Sequence, residues 1–280
     1  MKKKKITIIC LFILSIISFC YIENNFIKVN RMEIENEEIP KAFNEYKIVQ
    51  LSDLHSKLFG KEQKRLVKKV LKEEPDIIVF TGDLIDSKNY NEENSLILME
   101  KLIEASPVYY VTGNHEKWSG KFDDLEEKLI ALGVKVLRNE SIDIFHNENR
   151  IALTGIDDPD FQNNSYNIND TEIEGWDTFI DGLEENKFNI LLSHRPELFS
   201  NYDIIKFNLV FSGHAHGGQV RLPFIGGVVA PNQGFFPEYL SGIYKGQNTL
   251  MVVNRGLGNS IIPQRLFNRP EIIVVTLKNE

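Results

Sequence analysis

Phe211-Ser212-Gly213-His214-Ala215-His216-Gly217-Gly218-Gln219 is the stretch on which the fold turns. The apolar residues 207–211 lead into it and have the length and composition of a buried strand. Glycines on both sides of the histidines let the backbone turn sharply and approach something small. Two imidazoles two residues apart, on a loop at a strand end, suit a metal cluster; taken alone they equally suit a His-rich turn. The other histidines separate these readings. The chain has six, and five of them (His55, His115, His194, His214 and His216) follow apolar, strand-like runs beside Asp, Asn, Gly or Arg. His146 lacks that setting.

Upstream, the same strand-to-polar-loop junction repeats. Residues 46–51 read as a strand ending in Ser52-Asp53-Leu54-His55. Residues 61–73 have helical spacing, with Leu66, Val67, Val70 and Leu71 on one face, and Pro75 closes them. A strand at 76–80 runs into Thr81-Gly82-Asp83, and a helix follows at 92–104. A strand at 107–111 runs into Thr112-Gly113-Asn114-His115-Glu116, and residues 122–132 form a third helix, closed by Gly133. Strand–loop–helix three times over predicts an α/β fold with a partly parallel sheet. Residues 134–137, 142–145 and 150–154 read as hairpin-connected strands. A polar excursion runs to Asp170, with a short helix at 178–185. Strands follow at 188–192, 207–211, 239–244, 249–253 and 272–277. There is no internal repeat and no mark of a domain boundary.

The bulk numbers agree with one large globular domain. The chain has 280 residues, 42% hydrophobic and 26% charged, with a net charge of −8. That balance argues against nucleic acid as the main partner, because phosphate backbones attract basic faces. Both cysteines, Cys10 and Cys20, lie near the N-terminus. Any metal in the globular part therefore uses His, Asp, Glu and Asn, a donor set for harder or borderline ions such as Mn, Fe or Zn.

The N-terminus is a separate unit. Residues 1–5 form a basic head, and residues 6–22 carry no charge, near the lower length limit for a membrane-spanning helix. No Ala-x-Ala-like cleavage site follows, so the expectation is an uncleaved single-pass anchor, with a cleaved signal peptide and secretion as the alternative. The lysines are expected to stay in the cytoplasm, which places the domain outside. The expected division is a cytoplasmic head at 1–5, an anchor at 6–22, a linker and edge strand at 23–44, and the main domain at 45–280.

Set side by side, five strand ends deliver Asp53 and His55; Asp83; Asn114 and His115; His194; and His214 and His216. Ligands of open α/β sheets bind beyond the carboxyl ends of the strands. An Asp after one strand is usually a turn or cap, and Asp86 reads as that. Polar groups at five ends are not explained by capping. A carboxylate can bridge two ions, with neutral imidazoles and an amide oxygen filling the other positions. Such a pair acidifies a bridging water and clamps a phosphoryl group.

As a set, Asp53-x-His55, Gly82-Asp83, Gly113-Asn114-His115-Glu116, His194 and Gly213-His214-x-His216 resemble the motifs of the calcineurin-like metallophosphoesterases, in order and over about residues 45–277. Leu51-Ser52-Asp53-Leu54-His55, Gly155-Ile156-Asp157-Asp158-Pro159, His214-Ala215-His216-Gly217-Gly218-Gln219 and Arg255-Gly256-Leu257-Gly258 are similar to its membrane-anchored or exported bacterial branch, the YkuE- and YaeI-like phosphoesterases. The resemblance implies a four-layer α/β sandwich of two mixed β-sheets flanked by helices. It implies two divalent metal ions, with Mn the leading candidate and Fe or Zn as others. Asp53, His55 and His216 would bind the first, Asn114, His194 and His214 the second, and Asp83 would bridge them. His115 would contact the phosphate and protonate the leaving oxygen. Arg195, Trp118, Asp157 and Arg255 are candidates to line the substrate pocket, with Arg195 and Arg255 alternatively forming ion pairs. Glu116 is either an orienting group behind the ligands or a solvated side chain. The expected activity is hydrolysis of phosphate esters by a metal-activated hydroxide, with diesters of lipid or envelope origin favoured by the anchor. The alternatives are a phosphomonoesterase or protein phosphatase and, from another class, a non-catalytic metal-binding scaffold.

Overall fold

The computed structural model describes residues 2–161, 187–259 and 262–279. The expected helix at 178–185 and the polar excursion beyond residue 161 lie outside the described residues.

Two six-stranded sheets form the body of the chain. The first has the order β1 (Lys28–Glu35), β16 (Glu271–Lys278), β2 (Lys47–Leu51), β3 (Ile77–Thr81), β4 (Val108–Val111), β5 (Lys135–Val136). Strands β2 to β5 run parallel, and β16 lies antiparallel to β2. The second has the order β14 (Gly242–Lys245), β15 (Leu250–Val253), β9 (Leu209–Ser212), β8 (Asn189–Leu192), β7 (Asn149–Gly155), β6 (Glu140–His146). Its four central strands are parallel, and each edge strand is antiparallel.

Side-chain alternation dictates the layering. On β3, Ile77 and Val79 face the second sheet, while Ile78 and Phe80 face outward into a core with the helices. On β8 and β9, Ile190, Leu192, Leu209 and Phe211 face the first sheet, while Leu191 and Val210 face the opposite way. Strands buried on both faces read as unbroken apolar runs, which is why the sequence signal was strong. Helices α2 (Lys64–Leu71), α3 (Glu92–Ile103) and α5 (Phe122–Leu132), with the short α4 (Asn114–Ser119) between the last two, cover the first sheet through Leu66, Leu98, Met99, Leu102, Leu125 and Leu129 of α2, α3 and α5. Helix α6 (Phe199–Ile205) covers the second through Phe199 and Tyr202. The expected four-layer sandwich is the observed one. Gln50 is buried between the sheets, donating to Thr81 Oγ1 (3.0 Å) and to the Ser212 carbonyl (2.9 Å), and so ties them at the end where the site lies.

Three expectations change. The strand at 134–137 is β5, parallel to β4 in the first sheet; only β6 and β7 form a hairpin. Leu71, expected on the packed face of α2, is 39% exposed. Two small hairpins escaped notice, β10–β11 (Arg221–Leu222 with Gly226–Gly227) and β12–β13 (Val229–Ala230 with Gly234–Phe235). Two-residue strands are too short for a period to register.

Helix α1 (Lys2–Asn25) is longer than the expected 6–22 span, so residues 23–25 of the expected linker are helical. It is apolar and long enough to cross a membrane, and residues 3–19 are exposed. Its last turn is fastened to the domain. Glu23 Oε2 accepts from Asn268 N (2.9 Å), Asn24 Oδ1 accepts from Arg265 N (2.7 Å), and Lys57 Nζ donates to the Asn24 carbonyl (2.6 Å).

Candidate metal centre

The carboxyl ends of β2, β3, β4, β8 and β9 converge, and their loops hydrogen-bond to one another. Asp53 N donates to Gly82 O and His55 N to Asp83 O (both 3.0 Å), and Gly213 N donates to His194 O (3.1 Å). Asp53, His55, Asp83, His214 and His216 all have φ between +47° and +63°. Residues other than glycine seldom adopt that region, and each instance costs on the order of 1–3 kcal/mol. The interlocked loops hold the strain and turn the side chains inward.

Two groups result. Asp53, His55, Asp83 and His216 can each offer a ligand atom lying within 4.8 Å of the others, and so can Asp83, His194 and His214. Asp83 belongs to both. In the first group His55 Nε2 lies 3.0 Å from His216 Nε2 and 3.6 Å from Asp83 Oδ2, and His216 Nε2 lies 3.4 Å from Asp53 Oδ1. In the second, His194 Nε2 lies 3.3 Å from Asp83 Oδ2 and 3.1 Å from His214 Nδ1. His194 Nδ1 donates to the Thr81 carbonyl (2.8 Å), which aims the other ring nitrogen at Asp83. Asn114 Oδ1 is buried without a hydrogen-bond partner among the described residues. Buried polar atoms normally have one, so this oxygen is a further ligand position for the second group.

The electrostatics fit cations. Burial pushes Asp53 up to about 7, the cost of a carboxylate enclosed without sufficient positive charge. Burial holds His55 down at about 4 and puts His214 and His216 well below the ordinary imidazole value, so these rings are neutral, as metal ligands must be. Burial also lowers His194, but Asp83 and Asp53 outweigh it and lift the ring to about 10. A proton on its Nε2 occupies the line to Asp83 that a metal ion would take. Carboxylates among neutral imidazoles, with an amide oxygen, are a donor set for two divalent ions.

His115 stands apart from both groups. Ser87 N donates to its Nδ1 (3.1 Å), and Ser87 Oγ lies 3.3 Å from the same nitrogen. Its ring meets His55 edge-on at 4.5 Å and lies 5.1 Å from Trp118. His115, Trp118, Arg195, His214, His216 and Asn232 are among the residues lining a cavity of about 250 Å³ over the centre. Arg195 is fully buried, paired to both oxygens of Asp158 (Nε–Oδ2 2.5 Å, Nη2–Oδ1 2.8 Å), and its Nη1 lies 3.2 Å from His214 Nε2. Asp157 and Arg255 are not among the cavity residues. Asp157 accepts from Thr112 Oγ1, Arg138 Nε and Asn139 Nδ2, and Arg255 lies 3.6 Å from Glu271. His146 packs against Phe43 and Tyr46, apart from the other five histidines.

Supporting carboxylates surround the ligand groups, and of the two sequence readings of Glu116 the structure gives the orienting group, not the solvated side chain. Glu116 is wholly buried and accepts from Gly113 N (2.7 Å), Asp83 N (2.9 Å) and Ile85 N (3.2 Å), clamping two ligand loops together. Glu197 is buried 3.7 Å from Arg195 Nη1 and 3.9 Å from His214 Nε2. Asp86 does more than cap a loop: Oδ1 accepts from Lys88 N and Asn89 N, while Oδ2 lies 3.6 Å from His55 Nδ1. A carboxylate behind a ligating imidazole fixes its orientation, and removing one typically costs 10–100-fold in metal affinity. Asp86→Asn is therefore expected to weaken metal binding by about that factor while keeping the fold, as read by metal titration and circular dichroism. Unchanged affinity would reduce Asp86 to a loop residue.

Comparison with known proteins agrees with this geometry. Residues 46–218, more than half the chain, match the calcineurin-like phosphoesterase family. Over 265 residues the chain is 34% identical to the uncharacterized metallophosphoesterase YkuE of Bacillus subtilis (strain 168), covering 92% of this chain and 88% of YkuE. It is 32% identical to an uncharacterized metallophosphoesterase of Aquifex aeolicus (strain VF5), covering 94% and 96%. A Danio rerio transmembrane protein with a metallophosphoesterase domain is 29% identical, over 90% of this chain and 57% of that protein.

Proposed function

The chain belongs to the calcineurin-like phosphoesterase family, a metal-dependent phosphoester hydrolase by that membership, and we propose that it cleaves phosphodiesters at a membrane surface with two divalent ions, manganese foremost. The observation that carries this reading is Asp83's place in both ligand groups. Asp53, His55 and His216 would hold one ion, Asn114, His194 and His214 the other, and Asp83 would bridge them. When bound, such a pair supplies Lewis acidity to the phosphoryl oxygens and acidifies a bridging water.

The chain's own groups do the rest. His115, at the cavity wall, would protonate the leaving oxygen through Nε2 from its imidazolium form, with Nδ1–H then turned to Ser87 Oγ (3.3 Å) in place of the Ser87 N–H it accepts here, and would be left as neutral imidazole. Arg195, pinned by Asp158, presents a fixed positive charge beside the second ligand group and would hold a phosphate oxygen. Trp118 would border the bound ester. The cavity is small for a whole organic ligand but ample for a phosphoryl group with its nearest substituents. The rest of a larger substrate would lie outside.

Helix α1 and the transmembrane relative support placement at a membrane, and the basic residues Lys2–Lys5 support a domain outside the cytoplasm. Protease added to intact spheroplasts is expected to digest the domain; digestion only after lysis would reverse the topology. Diester preference is read from a panel of soluble nitrophenyl mono- and diesters, assayed with added manganese and with chelator. The diester is expected to give the larger kcat/KM, and a larger value for the monoester would replace this reading with a phosphomonoesterase.

A further inference from the structure

The tip of the β10–β11 hairpin is Leu222-Pro223-Phe224-Ile225. Phe224 is fully exposed and Leu222 and Ile225 are largely so. Single exposed apolar residues are ordinary on protein surfaces, but three large ones on one hairpin tip are not. The hairpin is fastened beside the last turns of α1. Arg221 N donates to the Leu266 carbonyl (2.9 Å), and Val220 bridges to Leu266. The neighbouring Phe267, half exposed, packs its ring 5.3 Å from that of Phe19 on the helix and borders the same surface hollow as Phe224 and Ile225. Gln264 Nε2 donates to the Cys20 carbonyl (3.1 Å).

Position along the helix sets the depth. Phe19 lies three residues inside the apolar stretch ending at Ile22, about 4.5 Å along the axis. If α1 spans a bilayer, Phe267 and the hairpin beside it are held at the hydrocarbon boundary. Interfacial apolar elements reach about 5–10 Å into that boundary, the depth a short hairpin can supply.

We propose that the β10–β11 tip, with Phe267, is a second membrane-seating element that lies in the same leaflet surface as the exit of α1. This rests on the membrane placement given above. Its consequence is orientation. The adjoining β12–β13 hairpin, tied on through Val228, whose N donates to the Val220 carbonyl (3.0 Å) and whose carbonyl accepts from Phe236 N (3.0 Å), carries Pro231 and Asn232 on the wall of the catalytic cavity. Seating the first hairpin in the bilayer fixes how far the cavity wall stands from the headgroups. The occupant of the patch is therefore the lipid surface itself.

The test uses the full chain with Cys10→Ser and Cys20→Ser, reconstituted in phosphatidylethanolamine–phosphatidylglycerol vesicles. Single cysteines are introduced by Phe224→Cys, by Leu14→Cys within the anchor, and by Ile130→Cys on the exposed side of α5, and each is labelled with an environment-sensitive fluorophore. Hydrolysis of a soluble nitrophenyl ester confirms that each labelled protein is folded. The label at 224 is expected to shift to the blue and to be quenched by lipids spin-labelled near the headgroup, while the label at 130 is not. Quenching at 14 without quenching at 224 overturns the hairpin proposal and leaves the anchor intact. No quenching at 14 by lipids spin-labelled deep in the acyl chain overturns the membrane placement, and the proposal with it. Disulfide-linked dimers through residue 224, with no lipid quenching there, would assign the patch to a second copy of the chain and equally overturn the proposal.

Discussion

Asp83→Asn is expected to abolish stable binding of both metal ions and to lower kcat/KM by about 10³-fold or more. The substitution keeps an oxygen, so the bond that His115 N donates to Asp83 Oδ1 (2.9 Å) can persist and the loops can stay in place. What disappears is the negative charge shared by the two ligand groups. Metal-supplied charge stabilisation is worth several kcal/mol in the transition state, and each 1.36 kcal/mol is a factor of ten. Asp86→Asn, acting only through the orientation of His55, should fall well short of this. Equal losses from the two changes would mean that the bridge is misassigned. The measurements are metal content and kcat/KM of both variants beside the parent protein.

His115→Ala is expected to keep both ions and to slow hydrolysis by an amount set by the leaving group. General acids contribute roughly 10²–10⁴-fold. An alkoxide is strongly basic and needs the proton, whereas a nitrophenolate departs readily without it. The loss should therefore approach that full range for an alkyl ester and be much smaller for a nitrophenyl ester. The structural basis is the place of His115 on the wall of the cavity beside the ligand groups. His214→Ala, removing a proposed ligand, should instead lose metal and damage both esters together. If His115→Ala strips the metals, His115 is a ligand, as its proximity to His55 and Asp86 would allow. If both esters slow equally with metals intact, His115 makes an electrostatic contact with phosphate.

Much of this was legible in the sequence because two signals agreed. The central strands are buried on both faces and appear as apolar runs, and each run stops at a residue of the centre. Asp53, Asp83, Asn114, His194 and His214 could be placed at strand ends for that reason. What stayed hidden depends on contacts between loops. Nothing local to Glu116 reveals that its carboxylate collects backbone N–H groups from Asp83 and Ile85, about thirty residues away. Arg195 could be named, but not the choice of Asp158 over its neighbour Asp157, which decides whether the guanidinium faces the cavity. Asp86 looked like a cap and is one; its second oxygen, near His55, has no sequence counterpart. The positive φ values of five residues of the candidate site are equally invisible, since a single Asp or His in the left-handed region leaves no periodic signal in the sequence. β5 joined the wrong partners on paper because a two-residue strand carries no pairing information of its own.

The central claim is a pair of divalent ions held by Asp53, His55, Asp83, Asn114, His194, His214 and His216, and counting those ions tests it most directly. The full chain, purified in detergent with manganese and then freed of loosely bound metal, should carry two divalent ions per chain by elemental analysis. Chelation should remove them together with hydrolytic activity, and manganese should restore both. A chain that hydrolyses phosphate esters with one ion or none, or keeps its activity through chelation that empties the site, would contradict the assignment.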